Sequence, residues 1–202
     1  MIAPEPATAS PRRIAIYCGS SRGLDPVFQT AAAGLARYLA GQGIGIVYGG
    51  GNVGLMGVIA DAAMSAGGEV IGVIPESLLA KELGHGGVTE LRVVRSMHER
   101  KQLMVDLSDA FIALPGGFGT MDELFETLTW LQLGFHGKPV GLLNVAGFFD
   151  HLLTFLDHMT GTGFLKTEHR ASLLMETDPA ALLTAMSTFQ PHTCGKWIAE
   201  LI

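Results

Sequence analysis

The chain has 202 residues, 48% of them hydrophobic and 16% charged, and a formal net charge of −6. That length fits one domain whose core is large enough to stand without disulfides or metal. An acidic chain with no lysine or arginine cluster is a poor non-specific binder of nucleic acid, and no apolar run reaches the ~20 residues of a membrane helix.

Residues 1–12 contain Pro and Ala but no basic segment leading into an apolar one, so they do not read as a secretory signal. They are expected to form a disordered lead-in to one domain over 13–202. Cys18 and Cys194 suggest neither a disulfide framework nor a CxxC metal site, which suits a reducing compartment such as the cytoplasm. Apolar runs at 14–18, 44–48, 70–74, 91–94, 110–114 and 140–143 are predicted strands, the last closing the sheet. Helical patterns are predicted over 25–40, 54–66, 97–107 and after Thr120, with further helical segments finishing the chain. Between 74 and 91 lies a glycine- and charge-containing connection. The helix after Thr120 carries Met121, Leu124, Phe125, Leu128 and Leu131 on its apolar face, and the one over 97–107 carries Leu103, Met104 and Leu107. Continuous apolar strands alternating with amphipathic helices predict an α/β fold: a Rossmann-like, doubly wound, mainly parallel sheet covered on both faces.

In such sheets ligands bind beyond the carboxyl ends of the strands. Three turns fall at that edge: Gly19-Ser20-Ser21, Gly49 to Gly54, and Gly116 to Thr120. The 27 glycines cluster after apolar runs, at nearly twice the usual ~7%. The most informative turn is Leu114-Pro115-Gly116-Gly117-Phe118-Gly119-Thr120-Met121-Asp122-Glu123. A strand, a glycine turn and a helix start make an anion site, because main-chain N–H groups can approach a phosphate and the first helical turn adds unpaired donors. Thr120 adds a hydroxyl, and Glu123 lies one turn on. The same residues also read as a T-x-x-E capping box, which would make Glu123 structural. Ser96-Met97-His98-Glu99 is a second such box. Arg100 and Lys101 follow in the first two turns, where cations oppose the helix dipole. Either a bound anion offsets that cost, or the pair is a solvated basic turn.

Gly49-Gly50-Gly51-Asn52-Val53-Gly54 fits G-x-G-x-x-G, with Glu76 at the spacing of a ribose-binding acid, so a dinucleotide-binding protein is a competing reading. Its place on the second strand, apart from the stronger anion loop, suits a mononucleotide held between two loops. No G-x-x-x-x-G-K-[ST] occurs. His151 and His158 lack the companions of a metal site, and Trp130, Phe148 and Phe149 read as packing residues.

The decapeptide from Leu114 resembles the PGGxGTxxE signature of the LOG ("Lonely Guy") family, and Ser96 to Lys101 resembles its MHxRK signature. Further matches are Tyr17 to Ser21, Tyr48 to Gly57, and the run from Thr129-Trp130 through Asn144; together they extend over roughly residues 13–175. LOG proteins are phosphoribohydrolases of cytokinin riboside 5′-monophosphates, also labelled lysine decarboxylases. The resemblance implies hydrolysis of an N-glycosidic bond in such nucleotides, and in AMP, with Arg100 and Glu123 catalytic. It implies a substrate site of Gly19, Ser20, Gly50, Gly51, Glu82, Met97, Lys101, Pro115, Gly116, Gly117, Phe118, Gly119, Thr120 and Thr129. It implies no metal or organic cofactor, and a homodimer with the site near the interface; the low charged fraction is compatible with that. The decarboxylase label fits poorly, since pyridoxal chemistry needs a Schiff-base lysine and Lys101 already belongs to the anion-site motif. A non-catalytic nucleotide carrier could use the same loops, but would have less need of the Arg100 and Glu123 pair.

Overall fold

Uninterrupted apolar runs leave a strand no wet face, and here they form the middle of a wholly parallel seven-stranded sheet. The computed structural model describes residues 11–82 and 84–191, with the backbone alone for 80–82. In chain order the strands are β1 (Arg13–Tyr17), β2 (Gly45–Tyr48), β3 (Val70–Pro75), β4 (Glu90–Val94), β5 (Ala110–Ala113), β6 (Val140–Leu143) and β7 (Leu173–Glu176). They lie in the order β4-β3-β2-β1-β5-β6-β7. The chain works outward from β1 to β4, then returns to lay β5 on the other side of β1. Strand order therefore reverses between β1 and β5, where the loops after them part and leave a crevice.

The helices are α1 (Pro26–Gly41), α2 (Gly54–Ser65), α3 (Glu76–Glu82), α4 (Met97–Asp106), α5 (Phe118–Gln132), α6 (Asp150–Gly161), α7 (Thr167–Ala171) and α8 (Pro179–Ser187). Alternate strand residues serve the two faces. Ile14, Ile16, Ile46 and Ile112 meet Leu35, Leu39, Ile59 and Leu182 of α1, α2 and α8. Ala15, Tyr17, Val47 and Phe111 meet Met104, Leu124 and Leu156 of α4, α5 and α6. This double burial produces the continuous apolar strands of the sequence; only the edge strands β4 and β7 carry exposed positions.

Local signals set most helix starts. Asp25 accepts from the Val27 N–H at 2.8 Å and Pro26 occupies the first turn of α1. Ser96 caps α4 by accepting from the Glu99 N–H at 3.1 Å, while Glu99 reaches back to the Arg95 N–H at 2.8 Å. Glu99 is thus a capping residue.

Three expectations are corrected. β6 does not close the sheet: β7 pairs parallel to it, Val140 with Leu173 through Leu143 with Glu176. Four residues directly after a helical turn give too short an alternation to read as a strand. The connection after β3 holds the helix α3, and α5 begins at Phe118, before Thr120 and not after it. Of the lead-in, residues 1–10 lie outside the described residues, as does Cys194. Among the described residues no helix is long and apolar enough to cross a membrane.

Candidate active site

The loops after β1, β2 and β5 are stitched together by their main chains. Gly19 N–H donates to Pro115 O at 3.1 Å, and Leu55 N–H donates to Gly19 O at 3.0 Å. The approach is so close that a Cβ on Gly116 would collide with Thr120 Oγ1, and one on Gly54 with the Ser20 backbone; Gly54 also has φ +62°. This second contact settles the role of the G-x-G-x-x-G run. The N-terminus of α2 is filled by the β1–α1 loop, so a pyrophosphate has no approach to it, and Glu76 stands exposed at the start of α3.

The N-terminus of α5, by contrast, opens into the crevice. Its cap is Gly117, which has no side chain to occupy the first-turn N–H groups. Gly117, Phe118, Gly119 and Thr120 line a cleft together with Cys18, Gly19, Ser20, Gly49, Met56, Arg100 and Glu123. Thr120 is the third residue of α5 and not its cap, so the T-x-x-E box does not form and Glu123 is released from it.

Glu123 turns inward to Arg100 of α4, Oε1 to Nη1 at 3.3 Å, with each side chain 10% exposed. The guanidinium is fixed from behind by two strand-end carbonyls: Nε donates to Val73 O at 3.1 Å and Nη2 to Gly49 O at 3.4 Å. Arg100 is thus no solvated basic turn. It also explains Gly49, where a Cβ would overlap Arg100 Nη2. A second device holds the carboxylate's helix. Thr127 Oγ1 donates to Glu123 O at 2.8 Å and lies 2.9 Å from the buried Tyr17 hydroxyl, tying this turn of α5 to β1.

Burial dominates the electrostatics of Glu123. It raises the carboxyl pKa from the ordinary 4.5 to about 7, with Asp122 and Glu126 adding to the rise and Arg100 and Lys101 opposing it. Burial likewise pushes the Cys18 thiol up, so the cleft sees a neutral thiol and not a thiolate nucleophile.

The other expected residues divide. Gly50, with φ +78°, and Gly51 lie in the β2–α2 loop behind the cleft, and Pro115 anchors Gly19. Phe118 stands 95% exposed at the cleft rim, and Met97, 40% exposed, places its sulfur 3.9 Å from Arg100 Nη1. Lys101 is drawn away, pairing with Glu126 at 2.9 Å and Asp122 at 3.2 Å. Thr129 faces a separate apolar cavity between α5, α6 and α7. The side chain of Glu82 lies outside the described residues. Sequence reasoning missed Ile16, Cys18 and Met56 on the cleft wall, and the anchoring carbonyls of Val73 and Gly49. The pairing of a loop glycine with a helix-start arginine carries no sequence pattern of its own.

No lysine lines the cleft among the described residues, so it offers no Schiff-base partner for pyridoxal phosphate. His151 and His158 are exposed on α6, and no group of three or more His, Cys, Asp or Glu among the described residues has the geometry to hold a metal. A doubly wound sheet, an open helix N-terminus at its switch point and a buried Arg–Glu pair beside it define a phosphate-ester-binding α/β protein with acid–base capacity.

Comparison with known proteins narrows the class. A family model described as "Possible lysine decarboxylase" matches residues 56–186. The cytokinin riboside 5′-monophosphate phosphoribohydrolase LOG of Oryza sativa subsp. japonica is 47% identical over 90% of this chain and 75% of its own. A cytokinin riboside 5′-monophosphate phosphoribohydrolase of Arabidopsis thaliana is 45% identical over 89% of this chain and 84% of its own. The molybdenum cofactor binding protein of Rippkaea orientalis shares the fold, with TM-score 0.65 and 23% identity over 87% of this chain and 95% of that one. The chain belongs to the LOG family.

Proposed function

We propose that the protein hydrolyses the N-glycosidic bond of cytokinin riboside 5′-monophosphates, and of AMP, releasing the free base and ribose 5-phosphate. The observation that carries this is the buried Arg100–Glu123 pair beside the open N-terminus of α5. The names of the plant relatives support the same chemistry.

The 5′-phosphate sits on the main-chain N–H groups of Gly117 to Thr120 with the Thr120 hydroxyl, and the ribose then lies toward Glu123. As the bond to the base lengthens, positive character develops on the ribosyl carbon, and an ionised Glu123 stabilises it across a dry cleft. Water adds to that carbon and gives its proton to Glu123; a pKa of about 7 matches the group to this task. Arg100 supplies positive charge toward the departing base, which takes up a proton from solvent as the bond breaks, while Glu123 returns to solvent the proton it received from water. Binding energy at the phosphate positions the reacting bond, so the monophosphate is preferred over the nucleoside.

The reading includes a homodimer. α5 turns Phe118, Phe125, Thr129 and Leu133 to one side, with the three apolar side chains 95%, 37% and 53% exposed. Such a stripe beside the cleft suits a subunit contact, and it would bring Thr129 of α5 to an interface. The cytoplasm is the compartment of this reading, on the free, buried Cys18.

The test is chromatography of reactions with AMP and with N6-isopentenyladenosine monophosphate. Free base from the wild type and none from Glu123→Ala is expected; substantial activity in Glu123→Ala refutes the assignment. Light scattering of the purified protein reports the dimer, and a monomer at micromolar concentration removes that part.

A further inference from the structure

We propose that Arg22 supplies the counter-charge for the substrate's 5′-phosphate, acting from a second cavity that shares its floor with the cleft. This rests on the phosphoribohydrolase reading and names a specificity residue within it. A phosphate monoester at neutral pH brings up to two negative charges to a chain whose own net charge is −6. The cleft lining offers little to meet them. Its only ionisable pair of opposite sign, Arg100 and Glu123, is turned on itself. Lys101, the next cation on α4, is held by Glu126 and Asp122.

Arg22 is differently placed. It lines a cavity with Phe28, Leu55 and Phe148 that shares Gly19, Ser20 and Gly117 with the cleft. Phe28 and Phe148 meet edge to face, ring centres 6.0 Å apart, and give the cavity an apolar back. The β1–α1 loop that carries Arg22 is shaped by Gly23, with φ +72° and its N–H 3.3 Å from Ser21 Oγ. Arg22 is exposed and has no ion pair or side-chain hydrogen bond among the described residues, so no internal carboxylate competes for it. A cation in the cavity that shares Gly19, Ser20 and Gly117 with the cleft acts on the phosphate and leaves the reacting bond alone. It therefore selects charge at the 5′ position and takes no part in bond cleavage.

The experiment compares wild type, Arg22→Ala and Arg22→Lys on AMP and adenosine across a range of ionic strength. Arg22→Ala is expected to raise KM for AMP roughly three- to tenfold, the scale of a partly screened interaction between nearby charges. Its kcat stays near that of wild type, KM for adenosine is unmoved, and KM for AMP depends less steeply on salt. Arg22→Lys restores most of the loss. An unchanged KM and salt dependence in Arg22→Ala overturns the proposal. Calorimetry with ribose 5-phosphate separates this from a failure of the activity itself. If the wild type cleaves nothing, weaker binding by Arg22→Ala still upholds the role of Arg22, whereas equal binding, or none by either protein, overturns it.

Discussion

Replacing Glu123 by glutamine should cut turnover sharply and yet make the protein more stable in alkaline solution. In the folded chain burial raises this carboxyl from 4.5 to about 7. The folded form therefore keeps a proton that the unfolded chain has already released between those values. Stability from this group is full below pH 4.5 and is lost as pH rises through 7. The difference of 2.5 in pKa corresponds to about 3 kcal/mol. Glutamine keeps an oxygen for Arg100 but has no charge to desolvate, so the variant should lack this decline. Urea unfolding of both proteins at pH 5 and pH 8.5 measures it. The wild type should lose about 2.5 kcal/mol more than Glu123→Gln between the two conditions, a little of the decline having already occurred by pH 5. Equal losses would refute the argument that burial, and not the Arg100 pair, governs this carboxylate. Turnover by Glu123→Gln should fall by about 10²-fold or more, as expected for removal of a charge aimed at the developing cation.

Gly49→Ala should lower kcat by roughly 10²-fold with little change in KM or melting temperature, because the new Cβ takes the place of Arg100 Nη2, the movable end of a side chain; steady-state kinetics and calorimetry together check this, and an unchanged kcat would deny Gly49 its role. Tyr17→Phe removes the hydroxyl beside Thr127 and should cost about 1 kcal/mol in urea unfolding, with a several-fold loss of kcat if the tie to β1 places Glu123. His136 accepts from the Lys138 N–H at Nδ1 and lies 3.1 Å from Thr127 O. Burial lowers its pKa from 6.5 to about 4. The folded state thus favours the neutral ring, and stability present above pH 6.5 is lost as pH falls toward 4. His136→Gln should flatten that acid limb in a pH series of unfolding curves.

The strands buried on both faces were legible because double burial writes itself as unbroken apolar runs. β7 and α3 were not. One is a four-residue edge strand with a single exposed position, Met175, the other a short helix between two strands with no repeat of its pattern. At the site, glycines and helix starts revealed where an anion could bind, but not what faces what. Arg100 and Glu123 lie on different helices, and only the packing of α4 beside α5 brings them to 3.3 Å. Thr120 resembled a cap because the real cap, Gly117, has no side chain to announce itself. Lys101 carried the same motif as Arg100 but points to the carboxylates of α5, one residue's rotation about α4 being enough to separate their roles.

The floor of the cleft is made of peptide groups: Gly19 bound to Pro115, Leu55 bound to Gly19, and the first turn of α5. Peptide groups are the same in every residue type, so most substitutions nearby leave the anion seat untouched. Vulnerability is concentrated at Gly49, Gly54 and Gly116, where any side chain strikes a neighbour. The rim is less tightly held within the single chain, with Met97 40% and Phe118 95% exposed. If the cleft serves the proposed reaction, a lineage can retune its base preference by exchanging rim side chains one at a time, while the main-chain seat proposed for the sugar phosphate is passed on intact.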